Sequence, residues 1–139
     1  MRKMIFLDTN ILIYAALNQE PEKHRKAALI VRDLLADDNG AISAQVVNEF
    51  TNVMFKKTRR TADEIRALNA LFAPMLRLDM TIGLVDRAIS LKNGFGLQYY
   101  DALIVAAAEK LSCEVIYSED LSDGATYGNV KIVNPFKNV

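Results

Sequence analysis

Five short runs rich in isoleucine, leucine and valine recur along the chain, at residues 4–7, 41–43, 75–78, 115–117 and 130–133, and helical patterns separate them. Strands that alternate with helices need crossover connections, and crossovers build parallel sheets whose faces are covered by helices. The expected architecture is therefore α/β: a three-layer α/β/α sandwich around a central, mainly parallel sheet of about five strands. No repeat or linker breaks the pattern, and 139 residues suit one domain, so a single unit over residues 1–139 is expected.

The helical segments carry their own punctuation. Pro21 suits a first helical turn, Ala27, Val31, Leu34 and Leu35 form an apolar stripe, and Asp38-Asn39-Gly40 reads as the end of that helix. Ser43 is placed to cap a helix whose core face is Val46, Val47, Phe50, Val53 and Met54. Thr61-Ala62-Asp63-Glu64 is a capping box, with Ile65, Leu68, Leu71 and Phe72 behind it. Thr81 caps a further helix that should end near Asn93-Gly94. Residues 99–111, YYDALIVAAAEKL, are apolar on nearly every side, which marks a central helix packed between other elements.

Against this background, four acids stand out. The run MIFLDTN, residues 4–10, drives four apolar side chains straight into Asp8, Thr9 and Asn10. In open parallel sheets, ligands bind beyond the carboxyl ends of the strands, where strand order reverses. Asp8 follows the first strand directly, and Ser118-Glu119-Asp120 follows VIY directly, so both places fall on that edge. Glu49 lies about one and a half turns into the helix after the second strand, just outside its apolar stripe. Asp101 falls in the first turn of the central helix, where the helix dipole and free backbone donors favour a carboxylate. Acids from distant parts of the chain can thus converge.

Carboxylates gathered in a partly buried site repel one another, and a divalent cation is the simplest remedy. The candidate ligands are all oxygens, which points to a hard ion, magnesium or manganese before zinc or copper. Such an ion can acidify a water and stabilise charge on a phosphodiester under attack, so a metal-dependent phosphodiesterase follows.

At this point four signatures, FLDTNILIY, SAQVVNEF around Glu49, YYDALIVAAA around Asp101 and VIYSEDLSDG around Asp120, resemble the PIN-domain ribonucleases. The chain is most similar to VapC-type toxins of toxin-antitoxin pairs, over essentially its whole length and in the family's order and spacing. The resemblance implies a PIN-like fold, magnesium or manganese in an acidic pocket, and endonucleolytic cleavage of RNA. It carries the family's acids onto Asp8, Glu49, Asp101 and Asp120. Its supporting hydroxyl and amide fall on Thr9 and Asn10, and the polar residue two before the last acid falls on Ser118. Glu119, Asp120 and Asp123 are all acidic and close, and the family's order of hydroxyl, any residue, aspartate selects Asp120, with Asp123 left to reach the ion through water. The resemblance further implies a small cognate antitoxin covering the site and a groove between helices, with exposed parts of ILIYAAL as contact surface, and a homodimer.

Composition narrows the rival classes. Lysine plus arginine and aspartate plus glutamate number 17 each, so no net positive field holds nucleic acid, and an RNA must be bound locally. The single Cys113 cannot form an internal disulfide or a cysteine-built zinc site and is expected as a small core residue at the start of a strand. No basic start followed by an apolar core marks a signal peptide, and no apolar run approaches the ~20 residues of a membrane span, so a cytoplasmic protein without membrane contact is expected.

Each residue also has a plainer reading. Alone, DTN suits a helix cap or an Asx turn, Glu49 a solvated helix position, and Asp101 a dipole-stabilising acid. The run Lys56, Lys57, Arg59 and Arg60 reads as a solvated C-terminal turn, and Lys23, His24, Arg25 and Lys26 as helix surface. Tyr99 and Tyr100 read as packing before base stacking. A haloacid-dehalogenase-like phosphatase would want a second aspartate where Asn10 stands, and Gly94-x-Gly96 lacks the third glycine of a dinucleotide loop. A flap-nuclease-like DNA enzyme would need longer segments than this chain has. The remaining alternative is a catalytically silent PIN-like module that binds RNA or protein.

Overall fold

A computed structural model describes residues 3–139. In chain order its elements are β1 (Ile5–Leu7), α1 (Thr9–Ala16), α2 (Pro21–Asp37), β2 (Gly40–Ser43), α3 (Ala44–Lys57), α4 (Ala62–Leu71), β3 (Leu76–Leu78), α5 (Ile82–Phe95), α6 (Tyr99–Lys110), β4 (Val115–Tyr117), β5 (Thr126–Tyr127) and β6 (Val130–Val133). The sheet runs β3-β2-β1-β4-β6-β5. Every neighbouring pair is parallel except β5 with β6.

Topology follows from handedness. The chain steps from β1 through β2 to β3 in one direction, then returns across the sheet to β4 on the other side of β1. Because parallel crossovers are right-handed, this reversal puts α1 to α4 on one face and α5 with α6 on the other. The packing agrees: α1 touches α2 and α3, α3 touches α4, and α5 touches α6. The result is the expected three-layer α/β arrangement, with its switch point between β1 and β4.

Local signals act where they stand in the sequence. Pro21 opens α2, and the Thr81 hydroxyl accepts from the Leu84 amide at the start of α5. Ser43 caps α3. Residues 102–108 of α6 are all buried, as the all-round apolarity of that segment demands. Among the described residues, no helix is long and apolar enough to cross a membrane.

Three details depart from the sequence reading. Among the described residues the sheet has six strands, because the two-residue β5 pairs with β6 across a turn at Gly128, too short a strand to show period-two alternation. The segment from β4 to β6 carries no helix. Helix α5 runs past Asn93-Gly94 to Phe95, and Gly96 ends it in the left-handed region (φ 69°) that glycine enters without steric cost. Cys113 is buried two residues ahead of β4, among apolar neighbours that push its thiol pKa up to about 12.

The capping box at α4 is fully formed. The Glu64 amide donates to the Thr61 hydroxyl (3.2 Å), and the Thr61 amide donates to the Glu64 carboxylate (2.9 Å). Thr61→Ala removes one of these bonds from an exposed helix start. It should lower the unfolding free energy by about 1 kcal/mol, seen as an earlier urea midpoint at an unchanged slope.

Candidate active site

Asp8 is where β1 stops and α1 starts. Its amide continues the sheet by donating to the Tyr117 carbonyl of β4 (3.0 Å), while its carboxylate caps α1 by accepting from the Thr9 amide (2.8 Å). The second carboxylate oxygen accepts from the Ser118 hydroxyl (2.7 Å), which stands at the end of the neighbouring strand β4. Ser118 is fully buried, and its oxygen also accepts from the amides of Asp120 and Leu121, each at 3.1 Å. One hydroxyl therefore joins the ends of two strands to the turn that carries Asp120.

The next two residues extend the pattern. The Thr9 hydroxyl donates to the Glu49 carboxylate of α3 (3.3 Å), and the Asn10 amide donates to the Asp120 carboxylate (3.1 Å). The Asn10 carbonyl accepts in turn from the Glu119 amide (3.3 Å). Asp8, Thr9 and Asn10 thus each reach a different part of the chain. Cap and cluster coincide in the same three residues.

Asp101 enters from α6, half-buried in the first turn. Burial raises its pKa, and the nearby Asp120 charge raises it further. Helix α6 is joined to α3 close by, where the buried Gln45 side chain donates to the Tyr100 carbonyl (3.1 Å). Asp8 shows the larger effect. Only 7% exposed, its carboxyl is pushed up to about 6 by burial, against the pull of the Ser118 and Thr9 bonds, with the Asp120 and Glu49 charges adding to the rise. Among the described residues, no lysine or arginine pairs with Asp8, Glu49, Asp101 or Asp120.

The donor set fits a hard divalent cation: carboxylates only, electrostatically coupled, one of them buried with no basic partner among the described residues. As the side chains stand, no three acidic, histidine or cysteine groups among the described residues are gathered tightly enough to grip an ion. Thr9, Asn10 and Ser118 each hold a carboxylate of the set instead.

Asp123 is committed elsewhere. Its carboxylate accepts from the Asn134 amide (2.8 Å) and pairs with Lys137 (3.2 Å), contacts that lower its pKa. Two further contacts, the Gln45 bond to α6 and a link from Glu119 to Tyr14 and Lys23, leave no local signal because each joins residues far apart in the chain. His24 faces the Tyr14 carbonyl through Nδ1 (2.8 Å). Tyr99 and Tyr100 meet edge to face at 5.4 Å. A groove of about 1070 Å³ runs alongside, lined by Gln45, Asn48, Arg77, Met80 and Tyr100 among others. None of the four acids lines it; Asn48 and Tyr100 adjoin Glu49 and Asp101 in the chain but point from other faces of their helices.

Ser118 is the joint of the cluster. Ser118→Ala leaves the Asp120 and Leu121 amides without their acceptor and removes a donor from Asp8. Stability should fall by about 1 to 2 kcal/mol, and the Asp8 carboxyl should titrate higher still, both readable by urea unfolding at several pH values.

Comparison with known proteins places this geometry. The sequence model of the PIN domain matches residues 5–122. Among solved structures, a toxin-antitoxin complex from Klebsiella pneumoniae is similar over 94% of this chain and 97% of its own, at 21% identity and a TM-score of 0.70. The sarcin-ricin loop cleaving toxin VapC20 from Mycobacterium tuberculosis shares 18% identity over 84% of this chain and 89% of its own, with a TM-score of 0.64. VapBC2 from Rickettsia felis, bound to a DNA fragment from its promoter, shares 16% over 93% and 96%, with a TM-score of 0.67. At these identities the likeness shows a common fold. A comparison with curated protein sequences returns no match.

Proposed function

This chain belongs to the PIN-domain family, and from that premise we propose that it is a magnesium- or manganese-dependent endoribonuclease, the toxin of a type II toxin-antitoxin pair. The observation that carries the reading is the triple reach of Asp8, Thr9 and Asn10. They link Ser118, Glu49 and Asp120 around a buried carboxylate that no basic side chain among the described residues neutralises. A helix cap alone needs only the Thr9 amide bond.

Asp8, Asp101, Glu49 and Asp120 are the residues that would hold the ion. When bound, it supplies an acidified water and neutralises charge on the phosphodiester under attack. The chain's own groups do the positioning. Ser118 and the Thr9 amide fix Asp8 in one orientation, and Thr9 and Asn10 aim Glu49 and Asp120. Burial and the Asp120 charge hold the Asp101 carboxyl above its usual value, so a bound cation would favour its ionised form. The neighbouring groove offers unpaired RNA an amide-lined wall, an exposed Tyr100 and the cation of Arg77.

The toxin role rests on the similarity to toxin-antitoxin complexes. It brings a small antitoxin as inhibitor, a homodimer and a cytoplasmic site of action. We read residues 1–139 as one PIN-like unit, on a family match that spans residues 5–122.

The test is incubation of the purified protein with total RNA in magnesium or manganese buffer, with and without EDTA, beside Asp101→Asn. Metal-dependent cleavage that EDTA and the substitution both remove is the expected result. RNA retained but left intact by the wild type would favour the silent binding module. Expression alone should arrest growth, and coexpression of the antitoxin should relieve it.

A further inference from the structure

Glu119 stands between Ser118 and Asp120, yet its side chain engages the helices instead of the acids. One carboxylate oxygen accepts from the Tyr14 hydroxyl at 2.6 Å, and the other accepts from the Lys23 ammonium at 2.6 Å. Lys23 also donates to the Tyr14 oxygen at 3.4 Å and lies 5.1 Å from the centre of the Tyr14 ring. The lysine and glutamate side chains are only 23% and 24% exposed, so this is a shielded, charge-assisted contact rather than a loose surface pair. Burial alone would raise the Glu119 carboxyl, but the bonds from Lys23 and Tyr14 hold it below its usual value.

The grip is built on a rigid base. Tyr14 and Asn10 are four residues apart on α1 and share a face, one turn from each other. Asn10 holds the Glu119 amide and the Asp120 carboxylate, while Tyr14 holds the Glu119 side chain. Lys23 closes the contact from α2. Behind it the Tyr14 ring packs edge-on against Phe136 at 5.1 Å.

Planar peptides of fixed length connect Glu119 to both neighbours, so a shift of its backbone is passed to Ser118 and Asp120. We propose that Lys23 and Tyr14 are positioning residues for the reaction. Acting through Glu119, they set the turn after β4 so that the Ser118 hydroxyl meets Asp8 and the Asp120 carboxylate faces the cluster. This inference rests on the nuclease reading above and adds to it two residues from α1 and α2.

Lys23→Met, Tyr14→Phe and Lys23→Arg test it, with Arg87→Met as control. That control breaks the Arg87–Glu109 pair, whose two bonds of 2.8 and 2.9 Å share no partner with the site. Two quantities are measured: amide hydrogen exchange at Asp120 and Leu121, and kcat and KM for RNA cleavage. Lys23→Met should speed exchange at those two amides at least about 10-fold and lower kcat about 10 to 100-fold, the range seen when a neighbour of a metal ligand is altered. KM should stay within about twofold, because the groove is untouched. Tyr14→Phe should show a smaller change in the same direction, Lys23→Arg should keep most of the activity, and Arg87→Met should leave kcat unchanged. Unaltered exchange in Lys23→Met overturns the inference. Faster exchange with unaltered kcat overturns it too, since the contact would then serve the turn and not the reaction. A wild type that cleaves no RNA overturns the nuclease reading together with this one, whereas an active wild type with unaffected variants overturns this one alone.

Discussion

Asp8→Asn should abolish RNA cleavage while leaving the fold intact, with a loss on the order of 10³-fold or more. Altering a group beside a metal ligand already costs about 10 to 100-fold, and Asp8 is the acid on which the bonds from Ser118 and Thr9 converge. Asparagine keeps the size of aspartate and can still cap α1 by accepting from the Thr9 amide. It cannot accept with both side-chain ends, so the Ser118 bond is weakened and the negative charge is gone. Cleavage kinetics and a far-ultraviolet circular dichroism spectrum on the same preparation check the two halves of this expectation. A variant that cleaves at the wild-type rate removes Asp8 from the chemistry.

The second expectation concerns stability against pH in metal-free buffer. The Asp8 carboxyl is raised from its ordinary 3.8 to about 6 in the folded protein, so the native state binds this proton more tightly than the unfolded chain. The sign follows from linkage. The contribution is fully present below about pH 4 and is lost as pH rises through about 6. At about 1.4 kcal/mol per pH unit the loss amounts to about 3 kcal/mol, with no discount for solvent because the group is 7% exposed. Urea midpoints of the wild type, corrected by those of Asp8→Asn, should fall across that window. The variant lacks this loss, so at pH 7.5 it should match or exceed the wild type in stability. Adding manganese at pH 7.5 should raise the wild type more than Asp8→Asn, since a ligand stabilises the native state according to its affinity for it. A difference between the two proteins that does not change with pH would contradict the burial argument.

Much of this was legible in the sequence because it was written locally. Alternating apolar runs and helical stripes define the layers, and Pro21, Ser43, Thr61 and Thr81 mark helix starts. The order of strands around β1 follows from crossover handedness once the runs are found. Strand β5 escaped because two residues carry no periodicity, and its pairing is imposed by β6 beyond the turn. The acids were legible as four isolated signals, each with a plainer explanation. What links Asp8, Glu49 and Asp120 is contact between residues as much as 110 positions apart, as between Ser118 and Asp8, while Asp101 meets the set through the Asp120 charge. The contrast between Asp120 and Asp123 depends on the same kind of contact, since Asn10 reaches the first while Asn134 and Lys137 take up the second. Glu119 shows the limit most clearly. Its sequence places it among the acids, and its partners on α1 and α2 turn it into part of their support.

The central claim is that Asp8, Glu49, Asp101 and Asp120 form one cation site. It is tested most directly by manganese binding at pH 7.5, followed through loss of the free-ion electron paramagnetic resonance signal, for the wild type, Asp8→Asn and Asp101→Asn. The wild type should take up manganese, and each variant should bind it at least about tenfold more weakly. Equal binding by all three proteins, or none by the wild type at millimolar manganese, would contradict it.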